Sequence, residues 1–188
     1  MELPKILLAT KSPRRHEIFQ NTGILFDIVN IDVDEEFDQK LTPSEISEFL
    51  AKKKSLGHST LLKGEILITA DTVVDIENEI LNKPANEIEA RSMLLKLSGK
   101  NHKVHTGVCI RTENNIHVFH ETTKVKFRDI SLDEINSYIK NCQPFDKAGS
   151  YGIQDWMGLV GVTRIEGCFY NVMGFPMSRF YSEIQKII

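Results

Sequence analysis

Asp71 is the residue that most needs a chemical reason. It stands in Ala70-Asp71-Thr72-Val73-Val74, just after Ile66-Leu67-Ile68. A carboxylate inside so apolar a run is costly to bury unpaired. It requires a metal ion, a lysine or a protonated ligand as partner; the alternative is a strand-end acid that caps a neighbouring turn. A second constellation is Ser12-Pro13-Arg14-Arg15. Ser12 suits an N-cap and Pro13 a first helical position, so both arginines fall in the first turn of a helix. The dipole disfavours cations at that end, whereas free N–H groups and arginine forks together suit a polyphosphate. A solvated surface pair is the plainer alternative.

Lys83, before Pro84, can reach a phosphate as a point charge, although a lysine in such a loop is ordinarily solvated. Asp32, Asp34, Glu35, Glu36 and Asp38 form an acidic loop. Their hard oxygens suit magnesium or manganese, which take one or two carboxylates and complete the shell with water and phosphate. Most acids in such a run are solvated. The run Asp146-Lys147-Ala148-Gly149-Ser150-Tyr151-Gly152-Ile153-Gln154 offers close backbone approach and an amide, Gln154, able to read a base edge. An ordinary turn explains it equally. His102 and His105 flank Val104 and are expected on one strand face, in a structural or exposed role.

These residues need elements to hold them. Lys5 to Thr10 reads as a buried strand, followed by a helix from Pro13 to the stop signal Gly23, with Ile18 and Phe19 inward. Leu25 to Asn30 reads as a second strand. Thr42-Pro43-Ser44-Glu45 is a capping box whose helix carries Ile46, Phe49 and Leu50 on one face. Glu65 to Ile76 is a long strand, turned at Asn78-Glu79 into a short partner ending at Lys83-Pro84. Asn86 caps a helix through Met93, Leu94 and Leu97. Lys103–Thr112 and Ile116–Phe127 form a hairpin. Ser131 opens another capping box, with Ile135, Tyr138 and Ile139 inward. A strand is expected over Leu159 to Ile165, and a closing helix after Pro176. Strands and helices mix without strict alternation. The expectation is a mixed α/β protein on a twisted, partly antiparallel sheet, forming one domain over residues 1–188.

The 188 residues are ample for one core, and the formal charge of −3 disfavours a nucleic-acid partner. Three scattered cysteines, without a Cys-x-x-Cys, speak against a disulfide framework and for a reducing compartment. No signal-peptide pattern or stretch of about 18 apolar residues occurs, so the expected location is the cytoplasm, away from any membrane.

Taken in order, the segments resemble the Maf family of nucleoside triphosphate pyrophosphatases over nearly the whole chain. The matching pieces are Leu8–Arg15, Val33-Asp34-Glu35, Leu50–Lys54, Ala70–Val74 and Leu81-Asn82-Lys83-Pro84. Further along come Leu97–Lys100 with His102, Val104 and Thr106-Gly107, then Asp146–Gln154 and Gly174-Phe175-Pro176. The resemblance implies two lobes around a cleft, as in inosine-triphosphate pyrophosphatases, a divalent cation (Mg²⁺ or Mn²⁺) and a homodimer. It implies cleavage of nucleoside triphosphates to monophosphate and pyrophosphate. By position it implies Asp71 as general base and Glu35 beside the metal; a metal held by Glu35 and Asp71 is expected with it, and the sequence leaves open whether Asp71 is base, metal ligand or both. Ser12, Arg14, Arg15, Lys54 and Lys83 match phosphate-side positions, while Arg14, Thr72 and Gln154 match positions linked to base choice.

Ser-Pro-Arg-Arg with Thr72 and Gln154 looks like the branch acting on dTTP and UTP. A sister branch for 7-methyl-GTP has tryptophan where this chain has Arg14. Thr10, Asn82 and Phe175 depart from the commoner serine, glycine and leucine without removing a chemical group from the implied site. A nucleotide-sensing regulator of cell division, binding without turnover, is the rival of another class.

Overall fold

The computed structural model describes residues 4–61 and 63–187. The chain opens with β1 (Lys5–Ala9), α1 (Pro13–Asn21) and β2 (Phe26–Ile28). Next come α2 (Pro43–Leu56), β3 (Glu65–Ile76), β4 (Glu79–Leu81) and α3 (Glu87–Leu97). The hairpin β5 (Asn101–Arg111) and β6 (Ile116–Phe127) leads to α4 (Leu132–Cys142). The chain closes with α5 (Trp156–Gly161), β7 (Val162–Glu166), α6 (Phe169–Met173) and α7 (Met177–Ile184). One seven-stranded sheet runs β2-β1-β3-β5-β6-β7, with β4 also paired to β3. β1 is parallel to β2 and β3, and the remaining pairs are antiparallel. The expected mixed, partly antiparallel α/β sheet is therefore present.

Local signals explain most boundaries. Pro13 starts α1, and Gly23, at φ 71°, follows its end in the left-handed geometry that glycine tolerates. Both capping boxes close: Thr42 with Glu45, and Ser131 with Glu134. The β3–β4 turn places Glu77 and Asn78 at φ 53° and 67°, so the tight turn lies one residue earlier than expected.

On one face of the sheet, position along β3 divides the core. Ile66, Ile68 and Ala70 join Phe19, Phe175 and Phe180 in one cluster, under α1 and α7. Val74 and Ile76, on the same face, join Leu94, Leu97, Ile135 and Phe127 in a second cluster, under α3 and α4. A polar belt separates the clusters. Thr72 Oγ1 lies 3.0 Å from Thr106 Oγ1, which donates to the Asn171 carbonyl; the Asn171 amide donates to Val104 and Thr123. The chain thus has two packed halves on one sheet, as the expected two lobes require. α2 covers the opposite face, where Val73 meets Ile46 and Leu50.

Four expectations are corrected. β2 is three residues long, shorter than Leu25 to Asn30, and Leu25 is 89% exposed. Phe49 is 41% exposed, because the buried stripe of α2 runs Ile46–Leu50 and Phe49 lies off it, beneath Lys53. Leu159 to Gly161 is helical, and the strand starts at Val162. His102 and His105 lie on opposite sheet faces, as any residues three apart in a strand must. His102 meets Tyr151, and His105 meets Asp75 and Thr122, both as buried structural contacts.

Candidate active site

The strand register creates an opening. β1 pairs with β3 as far as Thr69, and β4 begins pairing at Val74. From Ala70 to Val73 one edge of β3 is held by β5 and the other faces a cleft of about 620 Å³. At an open edge, residues from both sheet faces reach the same space. Asp71 from the α2 face and Thr72 from the cluster face both line the cleft. The gap spans about 13 Å of strand, room for several phosphates.

All nine residues singled out in the sequence line this cleft: Ser12, Arg14, Arg15, Glu35, Lys54, Asp71, Thr72, Lys83 and Gln154. Ser12 and both arginines arrive on the first turn of α1, whose N-terminus opens into the cleft. Ser12 sits at the N-cap but makes no side-chain cap bond. Lys54 arrives on α2. The Thr69 hydroxyl donates to the Ala51 carbonyl at 2.6 Å, pinning α2 to β3. One helical turn beyond that anchor, Lys54 comes to stand over Asp71, two residues along the strand. Lys83 and the loop 146–154 are tied together where Gly149 N–H donates to the Asn82 carbonyl at 3.3 Å.

The charges interlock. Lys54 Nζ is 2.8 Å from Glu35 Oε1 and is paired with Asp71 Oδ1. Lys83 Nζ is 3.6 Å from Glu35 Oε2. Burial pushes the Glu35 carboxyl up, but Lys54 and Lys83 outweigh it and hold the group below the usual range. Arg14 Nη1 donates to Asp146 Oδ2 at 2.7 Å, and Lys147 holds the other oxygen of that carboxylate. Asp146 is likewise depressed, since these two cations overcome the upward push of burial. Arg15 donates to the Gly174 carbonyl, Thr10 and Thr72. Burial pushes its guanidinium down to about 10, against the opposing pull of Asp71. Arg15 thus braces the cleft floor, and Arg14 is the more open of the pair's two forks toward a ligand.

Six cations face four carboxylates along the lining, in a chain whose net charge is −3. That local excess suits an anionic ligand. Gln154 is among the lining residues, and its Oε1 is buried with no hydrogen-bond partner.

The donor set suits a divalent ion. Glu35 and Asp71 converge on one ammonium group, so a cation already stands between them. Among the described residues no group of three or more His, Cys, Asp or Glu side chains converges. A metal here would rest on two protein carboxylates and take water and phosphate oxygens besides, as magnesium ordinarily does.

Sequence reasoning passed over Asp146, which orients Arg14, and Tyr151, whose hydroxyl lies 2.6 Å from His102 Nε2. Both lie in the glycine-containing run already noted, but nothing local ties them to partners 132 and 49 residues away.

A cation-lined cleft at the broken edge of a mixed sheet, with an acid at its centre, defines a protein built to hold a phosphorylated small molecule. The chain belongs to the Maf family: the model described as "Maf-like protein" matches residues 5–187. A relative from Phocaeicola vulgatus named dTTP/UTP pyrophosphatase is 42% identical over 189 residues, covering 100% of this chain and 98% of its own. Another of that name, from Flavobacterium psychrophilum, is 44% identical over 181 residues, with 96% and 93% covered. A third, from Bacteroides thetaiotaomicron, is 40% identical over 185 residues, with 97% and 96% covered. A solved HAM1 protein from Coxiella burnetii superposes at TM-score 0.45 with 13% identity, covering 66% of this chain and 73% of that one. So loose a likeness carries no argument.

Proposed function

We propose that this protein hydrolyses nucleoside triphosphates, dTTP and UTP foremost, to the monophosphate and pyrophosphate. The observation that carries the reading is Asp71: a carboxylate 8% exposed at the open edge of β3, inside a cleft lined by cations. Three relatives of 40 to 44% identity bear the name dTTP/UTP pyrophosphatase, which supports the substrate.

Asp71 takes the proton of a water that attacks the α-phosphorus; the bond from that phosphorus to the bridging oxygen breaks, and pyrophosphate leaves. Arg14 and Lys83 offset the charge on the departing pyrophosphate, and Arg15 keeps the floor in place. Glu35 and Asp71 would hold Mg²⁺ or Mn²⁺, which supplies charge neutralisation and a more acidic water. Gln154 is the residue assigned to base choice: turned into the cleft, its amide oxygen would accept the ring N–H that uracil and thymine carry and cytosine lacks. Arg14, in place of tryptophan, disfavours 7-methyl-GTP.

The same reading takes the protein as a cytoplasmic homodimer that binds neither nucleic acid nor membrane. Among the described residues no helix is long and apolar enough to cross a membrane. Light scattering of the purified chain tests the dimer.

The decisive experiment separates pyrophosphate from orthophosphate after incubation with Mg²⁺ or Mn²⁺ and dTTP, UTP, CTP, dATP, GTP or 7-methyl-GTP. Pyrophosphate released fastest from dTTP and UTP is expected. Tight nucleotide binding with no product would turn the reading to a nucleotide sensor.

A further inference from the structure

Lys54 occupies the position where the Glu35 and Asp71 carboxylates meet. Its Nζ is 2.8 Å from Glu35 Oε1 and bonded to Asp71 Oδ1, and its side chain is 19% exposed. An ammonium and a divalent ion ask for the same thing from this place, close carboxylate oxygens, and two cations cannot share it. The lysine also lies in the last turn of α2, where the helix dipole favours a cation. Its four-carbon stem is flexible and its head is a point charge with no fixed fork, so it can turn from carboxylate to phosphate oxygens. Lys83, 55% exposed and 3.6 Å from Glu35, is too loosely held to take its place.

We propose that Lys54 is a resident counter-ion that keeps divalent metal out of the nucleotide-free site and releases Glu35 and Asp71 only when a triphosphate draws its ammonium away. Metal and nucleotide then bind as a coupled pair, each raising the affinity of the other. The inference rests on reading the chain as a metal-dependent nucleotide pyrophosphatase. It adds a positioning role for Lys54 that phosphate binding alone does not require.

The test is Mn²⁺ binding to the full chain, followed by the paramagnetic resonance of free Mn²⁺, with and without α,β-imido-dTTP. Neither measurement needs turnover. The wild type should bind Mn²⁺ weakly alone and strongly with the analogue. Lys54→Met should bind Mn²⁺ alone at least about tenfold more tightly than the wild type, with a correspondingly smaller gain from the analogue. Lys54→Gln repeats the measurement should the methionine variant fold poorly, and Lys54→Arg, which keeps the charge, should stay weak. Equal affinity of wild type and Lys54→Met without nucleotide would overturn the proposal. So would uptake by Lys54→Met that survives an added Asp71→Asn, because the ion would then sit elsewhere. Absence of pyrophosphate release by the wild type is read in a separate assay and would overturn the proposed function instead.

Discussion

Replacing Asp71 by asparagine keeps its shape and removes its charge. Turnover of dTTP should fall by about 10²- to 10⁴-fold, the usual worth of a positioned general base. The fold should survive, since Lys54 keeps Glu35 as a partner. A near-normal rate, measured by pyrophosphate release, would remove Asp71 from the chemistry. Asp146→Ala tests the residue that sequence reasoning passed over. It frees Arg14 from a 2.7 Å bond, so KM for dTTP should rise about tenfold, the worth of roughly 1.4 kcal/mol, while kcat changes little. An unchanged KM would mean that Arg14 needs no such support. Asp71 was legible because a carboxylate amid isoleucines and valines is an anomaly of type. Its lysine partner was legible in principle as well: Ile46, Leu50 and Lys54 fall on one helical stripe, so the apolar face of α2 ends in an ammonium. The Arg14–Asp146 pair was not legible: Arg14 stood out at its helix start, but nothing local pointed to Asp146, 132 residues away.

At the scale of elements, the seat of α2 decides where Lys54 stands. Gly107 on β5 lies directly beneath the Ser47 backbone, and a Cβ there would collide with backbone that cannot swing aside. Gly107→Ala should therefore push α2 outward. A loss of about 1–3 kcal/mol in urea unfolding is expected, with a fall in kcat as the shifted helix carries Lys54 away from the cleft and from the phosphates it would meet there. A variant as stable and active as the wild type would show that α2 tolerates the shift. Thr42→Ala removes one half of the capping box at the other end of the helix and should cost about 1 kcal/mol in the same assay. The capping boxes, the long strands and the hairpin were readable because their signals are local. The six-residue α5 was not. It has no side-chain cap and contains Gly158 and Gly161, so propensity argues against it. Gly158 is there because the Ile153 backbone presses on it, a contact invisible before the chain folds.

For the whole molecule, the interior of the second cluster sets a pH dependence. Burial pushes the His102 imidazole down to about 4, with Asp75 pulling weakly upward, and the ring packs against Tyr151 and Phe127. In the unfolded chain the ring takes up its proton near 6.5. Between these values the unfolded state binds a proton that the folded state refuses. The stability is thus complete above the unfolded value and is lost as pH falls toward the folded one, by about 3 kcal/mol. Urea midpoints from pH 7 down to 4.5 should show the decline, and His102→Gln should flatten it. A decline of equal slope in the variant would assign it to other groups. The division into two clusters was not readable from periodicity, because β3, β5 and β6 run through both and their alternation continues across the boundary.

The interrupted edge of β3 has a dynamic counterpart. An inner strand of a sheet ordinarily protects its amides on both sides, yet between Ala70 and Val73 the amides turned away from β5 have no neighbouring strand. Deuterium should enter these few positions well before it enters Leu67 or Ile76 on the same strand. Bound nucleotide should slow that entry selectively, making a four-residue stretch of backbone a label-free gauge of occupancy, readable by mass spectrometry in a protein whose chemistry has been switched off.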